Sequence, residues 1–133
     1  MNSLPLYQVD AFTDRLFGGN PAAVVPLPTF LSDELMQRIA AENNLSETAY
    51  VVIRGEGKFD LRWFTPTREV RLCGHATLAA AHVLFKSGGR DLGRIRFRTR
   101  RAGNITVTPR GDDRYSLDFK KDDPSKARSS KKI

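Results

Sequence analysis

The chain has 133 residues, 40% hydrophobic and 28% charged, which suits one domain with a modest core and leaves no room for a multi-domain enzyme. No apolar run approaches the ~20 residues that cross a bilayer, and the opening Met1-Asn2-Ser3-Leu4-Pro5 lacks the layout of a signal peptide, so a cytoplasmic protein without a membrane partner is expected. The single cysteine, Cys73, excludes an intramolecular disulfide and a Cys-rich zinc site, and the net charge of +7 is concentrated in residues 90–101 and in a tail over 120–133 with six basic and two acidic groups.

Apolar alternation over residues 6–12 predicts a strand, followed by a Gly18-Gly19-Asn20-Pro21 turn and a second, buried strand over 22–25. Ser32 is a good N-cap, and Asp33 and Glu34 suit the positive end of a helix dipole. Leu35, Met36, Ile39 and Ala40 then give one apolar face to a helix ending near Asn43-Asn44. The β-forming runs 48–54 and 58–64, separated by Gly55-Glu56-Gly57 and stopped by Pro66, predict a hairpin. From His75 to Phe85, apolar residues including Ala76, Leu78, Ala79, Ala80, Ala81 and Val83 surround the helix axis without a charge. That helix is expected to be buried on most sides and to end at Ser87-Gly88-Gly89. Short strands over 93–99, 104–108 and 114–119 should form a meander. The class is α+β: a curved mixed sheet wrapped around a central apolar helix, with a domain over 1–119. Residues 120–133 offer one large apolar group and are expected to be a basic disordered tail.

The segment from Leu72 to Thr77 opens the apolar helix, so free backbone N–H groups there make a natural anion site. Gly74 permits close approach to the backbone and His75 adds an imidazole that donates a hydrogen bond or moves a proton. The commoner roles on spacing alone are a tight turn at Gly74 and a structural His75. Glu47 lies between a helix end and an apolar strand, where lost hydration favours proton transfer, although an ordinary loop carboxylate is the commoner case. His75 and His82 lie on one helix roughly 10 Å apart at ~1.5 Å per residue, too far to share a zinc, and Cys73 completes no known spacing, so no metal is expected. Cys73 reads as a small buried side chain. Gly18-Gly19-Asn20-Pro21 matches neither a dinucleotide site nor a P-loop, and Asn20 is turned into the cleft at most as a substrate contact. Arg94, Arg96, Arg98 and Arg100 alternate with apolar residues and share one strand face, usually a solvated one.

Taken in order, five stretches resemble the N-terminal half of the phenazine-biosynthesis PhzF-like isomerase/epimerase family. They are residues 8–13, 19–25, 44–50, 62–66 with Glu69-Val70, and 72–79, and the similarity continues through Leu117-Asp118-Phe119. The resemblance implies a diaminopimelate-epimerase-like half, part of a fold whose two similar halves enclose the active site. It implies no cofactor, and proton abstraction and return on a small carboxylated substrate. It makes Glu47 the general acid/base, with Gly74 and His75 as substrate-binding residues, to which the turn reading adds Asn20. The phenazine-like relation also implies a biosynthetic process.

Arg71 stands where the motif is often acidic, which alters the charge beside the site. After Phe119, Lys120-Lys121 and the basic tail stand where the family's second half would follow. A shortened gene product, a frameshifted reading and a half-size protein that forms a homodimer over its open side all fit. A lone half is expected to be weakly active or inactive. The alternatives are an inactive remnant or a non-catalytic module that binds nucleic acid or another polyanion through the Arg94–Arg100 stripe and tail. Nucleic acid is the less expected partner, because no RNA-type aromatic platform or DNA-binding motif accompanies the stripe.

Overall fold

The computed structural model describes residues 4–11, 20–88, 93–112, 114–120 and 129–132, with backbone alone at positions 10, 11, 20, 88, 120 and 129–132. The elements run β1 (Tyr7–Ala11), β2 (Asn20–Leu27), α1 (Asp33–Asn43), β3 (Glu47–Gly55), β4 (Lys58–Phe64), β5 (Glu69–Val70), α2 (Gly74–Gly88), β6 (Ile95–Arg98), β7 (Asn104–Gly111), β8 (Arg114–Lys120) and β9 (Ser129–Lys132). Among the described residues they form one mixed sheet, ordered β1-β2-β3-β4-β6-β7-β8-β9, with β5 alongside β4. β2 pairs with β3 in parallel, and β4 with β6 likewise; the other pairings are antiparallel. Parallel neighbours need a crossover, which α1 supplies for the first pair and the β5–α2 segment for the second.

Alternation along the strands sends side chains to two cores. Ala22 and Val24 of β2, Ala49 and Val51 of β3, and Leu61 and Trp63 of β4 join α2, whereas Val25, Leu27, Tyr50 and Phe64 face Met36 and Ala40 of α1. Both faces of β2 are therefore covered, which explains its unbroken apolar run. Further along the sheet, Ile95, Phe97, Ile105, Val107 and Leu117 also face the α2 core. α2 touches β1, β2 and β3 and, far along the strand order, β8, so the sheet curls around it. Ala76, Ala79, Ala80 and Ala81 of the helix and Ala22 and Ala49 of the sheet are all at 0% exposure, and these small side chains let helix and sheet lie close together.

Several expectations are refined. Asn20 and Pro21 are not turn residues: they open β2, paired with Ala11 and Asp10, while Gly18 and Gly19 lie outside the described residues. Ser32 caps α1 as expected, its side chain accepting from the Leu35 N–H, but Leu35 itself is 42% exposed, because only Met36 and Ala40 are buried. The segment read as a disordered tail contributes β9, which pairs with β8 from Ser116 to Phe119, and Lys120 belongs to β8. Strand pairing uses backbone groups, so the polar run at 129–132 needs no apolar side chain to add to an edge. Residues 121–128 and 133 lie outside the described residues.

Candidate active site

Glu47 is the first residue of β3 and shares strand parity with Ala49 and Val51, so it sits on the face that meets α2. His75 is the second residue of that helix. Their side chains meet: His75 Nε2 lies 2.8 Å from Glu47 Oε1, with the side chains 25% and 18% exposed. Both atoms are shielded from solvent, the contact lies off the preferred hydrogen-bond direction, and neither atom has another hydrogen-bond partner among the described residues. Two sequence-predicted residues from different elements thus form one pair.

The start of α2 is pinned from beneath. Trp63 Nε1 on β4 donates to Thr77 Oγ1 at 2.9 Å, and Thr77 Oγ1 donates to the Cys73 carbonyl at 2.7 Å. Cys73 Sγ completes a cluster with Glu47 and His75, the three side-chain atoms all lying within 4.8 Å of one another. Burial pushes the Cys73 thiol up to about 11; the Glu47 carboxylate adds to the rise, and the backbone N–H groups of Ala76 and His75 oppose it. The thiol is therefore protonated at neutral pH, which disfavours nucleophilic use. Gly74 has an ordinary backbone φ, and nothing lies within 4 Å of where a Cβ would project. The turn itself does not require glycine there. His82 is elsewhere, with Nδ1 2.7 Å from Tyr115 Oη.

From His75 and Gly74 an open cleft of about 1360 Å³ runs past Arg68, Arg71, Arg100 and Arg101 to Leu117 and Phe119. Glu69 is the one acidic residue lining it among the described residues. That carboxylate is engaged: Arg62 makes hydrogen bonds of 2.8 and 2.7 Å to its two oxygens, and Arg100 approaches at 3.1 Å. Arg62 is 7% exposed, also reaches Asp33, and lies over the Phe30 and Phe64 rings. Its pairing with Glu69 raises the guanidinium's pKa further. Arg68, Arg71 and Arg101 form no ion pair among the described residues, so the rim keeps a positive field.

The Arg62–Glu69 brace is a feature that sequence reasoning missed, because it joins β4 to a two-residue strand with no alternation to read. Asn20 lies at the start of β2, two positions before Ala22, the β-partner of Glu47. Its position is thus at the same sheet end as the pair, and its side chain is outside the described residues. On the β6 segment Arg96 and Arg98 are exposed as predicted, and Arg98 is held by both oxygens of Asp60 at 2.8 and 3.0 Å.

A profile of the phenazine biosynthesis-like protein family, PhzC-PhzF, matches residues 9–131. The chain belongs to this family. It is 54% identical over 127 residues to an uncharacterized isomerase of Pseudomonas aeruginosa, covering 96% of this chain and 48% of that one. It is 53% identical over 89 residues to the human phenazine biosynthesis-like domain-containing protein, covering 62% of this chain and 31% of the relative. A crystal structure of a PhzF family protein from Enterococcus faecalis superposes with TM-score 0.80 at 49% identity, over 88% of this chain and 44% of that one. A predicted epimerase of Pseudomonas aeruginosa gives TM-score 0.69 at 25% identity, over 87% of this chain and 43% of that one. The chain spans about half the length of the Pseudomonas isomerase, and the PhzF-like half it represents is the curled α+β sheet with two helices described above. No helix among the described residues is long and apolar enough to cross a membrane.

Proposed function

We propose that this PhzF-like chain supplies the proton-transfer half of a cofactor-independent isomerase or epimerase acting on a small carboxylated substrate. The observation that carries the reading is the 2.8 Å Glu47–His75 contact at the head of a buried helix, where His75 lines an arginine-rimmed cleft. Glu47 is the general base: a carboxylate oxygen takes a proton from a substrate carbon, and the C–H electron pair moves into the adjoining unsaturated or carboxyl-bearing system. Return of the proton to a different carbon gives an isomer, and to the opposite face an epimer. His75 Nε2 lies against Oε1, leaving the second oxygen for the substrate. The helix N-terminus and Arg68, Arg71 and Arg101, without an ion pair among the described residues, favour the anionic substrate and the charge that develops on it. Gly74 lines the cleft, and the backbone of Asn20 starts β2 at the same end of the sheet. The names of the relatives, isomerase and predicted epimerase, support this class of chemistry.

One wall of a cleft admits water, which weakens every one of these electrostatic effects. In this reading the isolated monomer is a poor catalyst, and a second copy of the chain covers the open side as a homodimer. The test is sedimentation of the purified chain combined with incorporation of solvent deuterium into candidate carboxylated substrates. Slow exchange confined to the dimer and lost in Glu47→Gln is expected. Strong exchange by a strict monomer, or exchange indifferent to Glu47→Gln, would overturn the reading.

A further inference from the structure

Spacing along the chain relates only His75, His82 and Cys73, but the fold adds a ligand from another element. Glu47 comes from β3 and Cys73 and His75 from the head of α2, and they offer one oxygen, one sulfur and one nitrogen within 4.8 Å of one another. The geometry points to a binding site for a thiophilic divalent cation, zinc above all, held by Glu47 Oε1, Cys73 Sγ and His75 Nε2 and competing with substrate for the proton-transfer pair. The inhibitory consequence rests on the functional reading above, whereas the binding site itself does not.

Zinc bonds of about 2.0–2.3 Å place tetrahedral ligands roughly 3.3–3.8 Å apart, so the Glu47–His75 pair has to open from 2.8 Å by about half an ångström while the Cys73 sulfur, within 4.8 Å, draws in by at most about an ångström, both within the range of side-chain rotation. Glu47 Oε1 and His75 Nε2 are shielded from solvent and meet without a well-directed hydrogen bond, so a cation that binds both displaces no strong bond between them. A dication held by one carboxylate and one thiolate leaves no net charge in a half-buried place. The cleft at Gly74 and His75 leaves the fourth position to water or an anion, the open arrangement of zinc sites that exchange ligands. On binding, the thiol releases its proton to solvent, His75 coordinates as the neutral ring with its proton on Nδ1, and no electrons are transferred. Glu47 then has its oxygen engaged and takes no proton from substrate.

Cobalt(II) titration of the full 133-residue chain tests the site without reference to activity. One equivalent should give a thiolate-to-cobalt charge-transfer band, displaced by zinc and absent in Cys73→Ser. Affinity should fall by more than about 100-fold in Glu47→Gln and in His75→Gln, beyond the roughly 10–100-fold that changes outside a ligand shell produce. No band at cobalt excess, or a band that survives Cys73→Ser, overturns the site. Should that variant fail to fold, ring nitrogen spectra of the unsubstituted chain decide: one equivalent of zinc shifts His75 Nε2 and spares His82, and an unmoved His75 overturns the proposal. Zinc that binds but leaves deuterium exchange unchanged overturns the competition while the site stands. Absent cobalt binding leaves the isomerase reading intact.

Discussion

Trp63 and Thr77 share a buried hydrogen bond of 2.9 Å between the indole N–H and the threonine hydroxyl, and that hydroxyl in turn holds the carbonyl of Cys73 at 2.7 Å. A strand of the sheet thereby fixes the first turn of α2, and with it the place of His75. Thr77→Val keeps the shape but leaves the Trp63 N–H buried without a partner. It should cost about 1–3 kcal/mol in urea unfolding. An unchanged midpoint would show that the bond does not bear on stability.

Glu47→Gln keeps the size of the side chain and removes its basicity. Deuterium exchange into a competent substrate should fall by about 10²–10⁴-fold while the thermal midpoint moves little. A parallel fall in thermal midpoint and activity would point instead to a structural role for the carboxylate.

Gly74 separates ligand approach from folding. A Cβ there meets nothing within 4 Å and strains no backbone, so Gly74→Ala should leave stability unchanged or raise it by about 0.4–1 kcal/mol. Because that Cβ projects beside the cleft, affinity for a small carboxylate, followed by calorimetry, should weaken. A loss of stability without loss of affinity would contradict this placement.

The raised pKa of Cys73 makes stability depend on alkaline pH. In the unfolded chain the thiol ionises near 9.0, whereas in the folded chain burial holds the proton up to about 11. The contribution is therefore whole below about pH 9 and is lost as pH rises through that window. Unfolding midpoints measured from pH 8 to 11 should decline more steeply for the natural chain than for Cys73→Ser, and the thiol should react slowly with alkylating reagents near neutrality. Identical pH profiles for the two chains would refute the shift.

Much of the architecture is legible in local patterns. The Ser32 cap, the Gly55–Gly57 turn between β3 and β4, and the uncharged run of α2 each carry a signal within a few residues. β5 is too short to show alternation, and β9 pairs through backbone groups beneath a polar run. The site divides along the same line. An anion-favouring helix start at Gly74 and His75 follows from sequence chemistry, but the partnership of Glu47 with His75 depends on β3 lying against α2. Only resemblance to a family, and not spacing, joins those two positions before the fold is known. The arginine rim is equally hidden, because Arg68 and Arg71 come from the β4–α2 connection, and Arg100 and Arg101 from the turn after β6.

The alanine contacts between α2 and the sheet carry a consequence for temperature. Glu47 is anchored in the sheet and His75 in the helix, so their separation registers the thickness of the layer between them. A swelling of about an ångström, far short of unfolding, takes the pair out of contact. On heating, proton transfer should therefore fade before the chain melts. Enlarging Ala49 or Ala79 should bring that failure to lower temperature, so under the proposed function the smallest side chains of the core set its upper thermal limit.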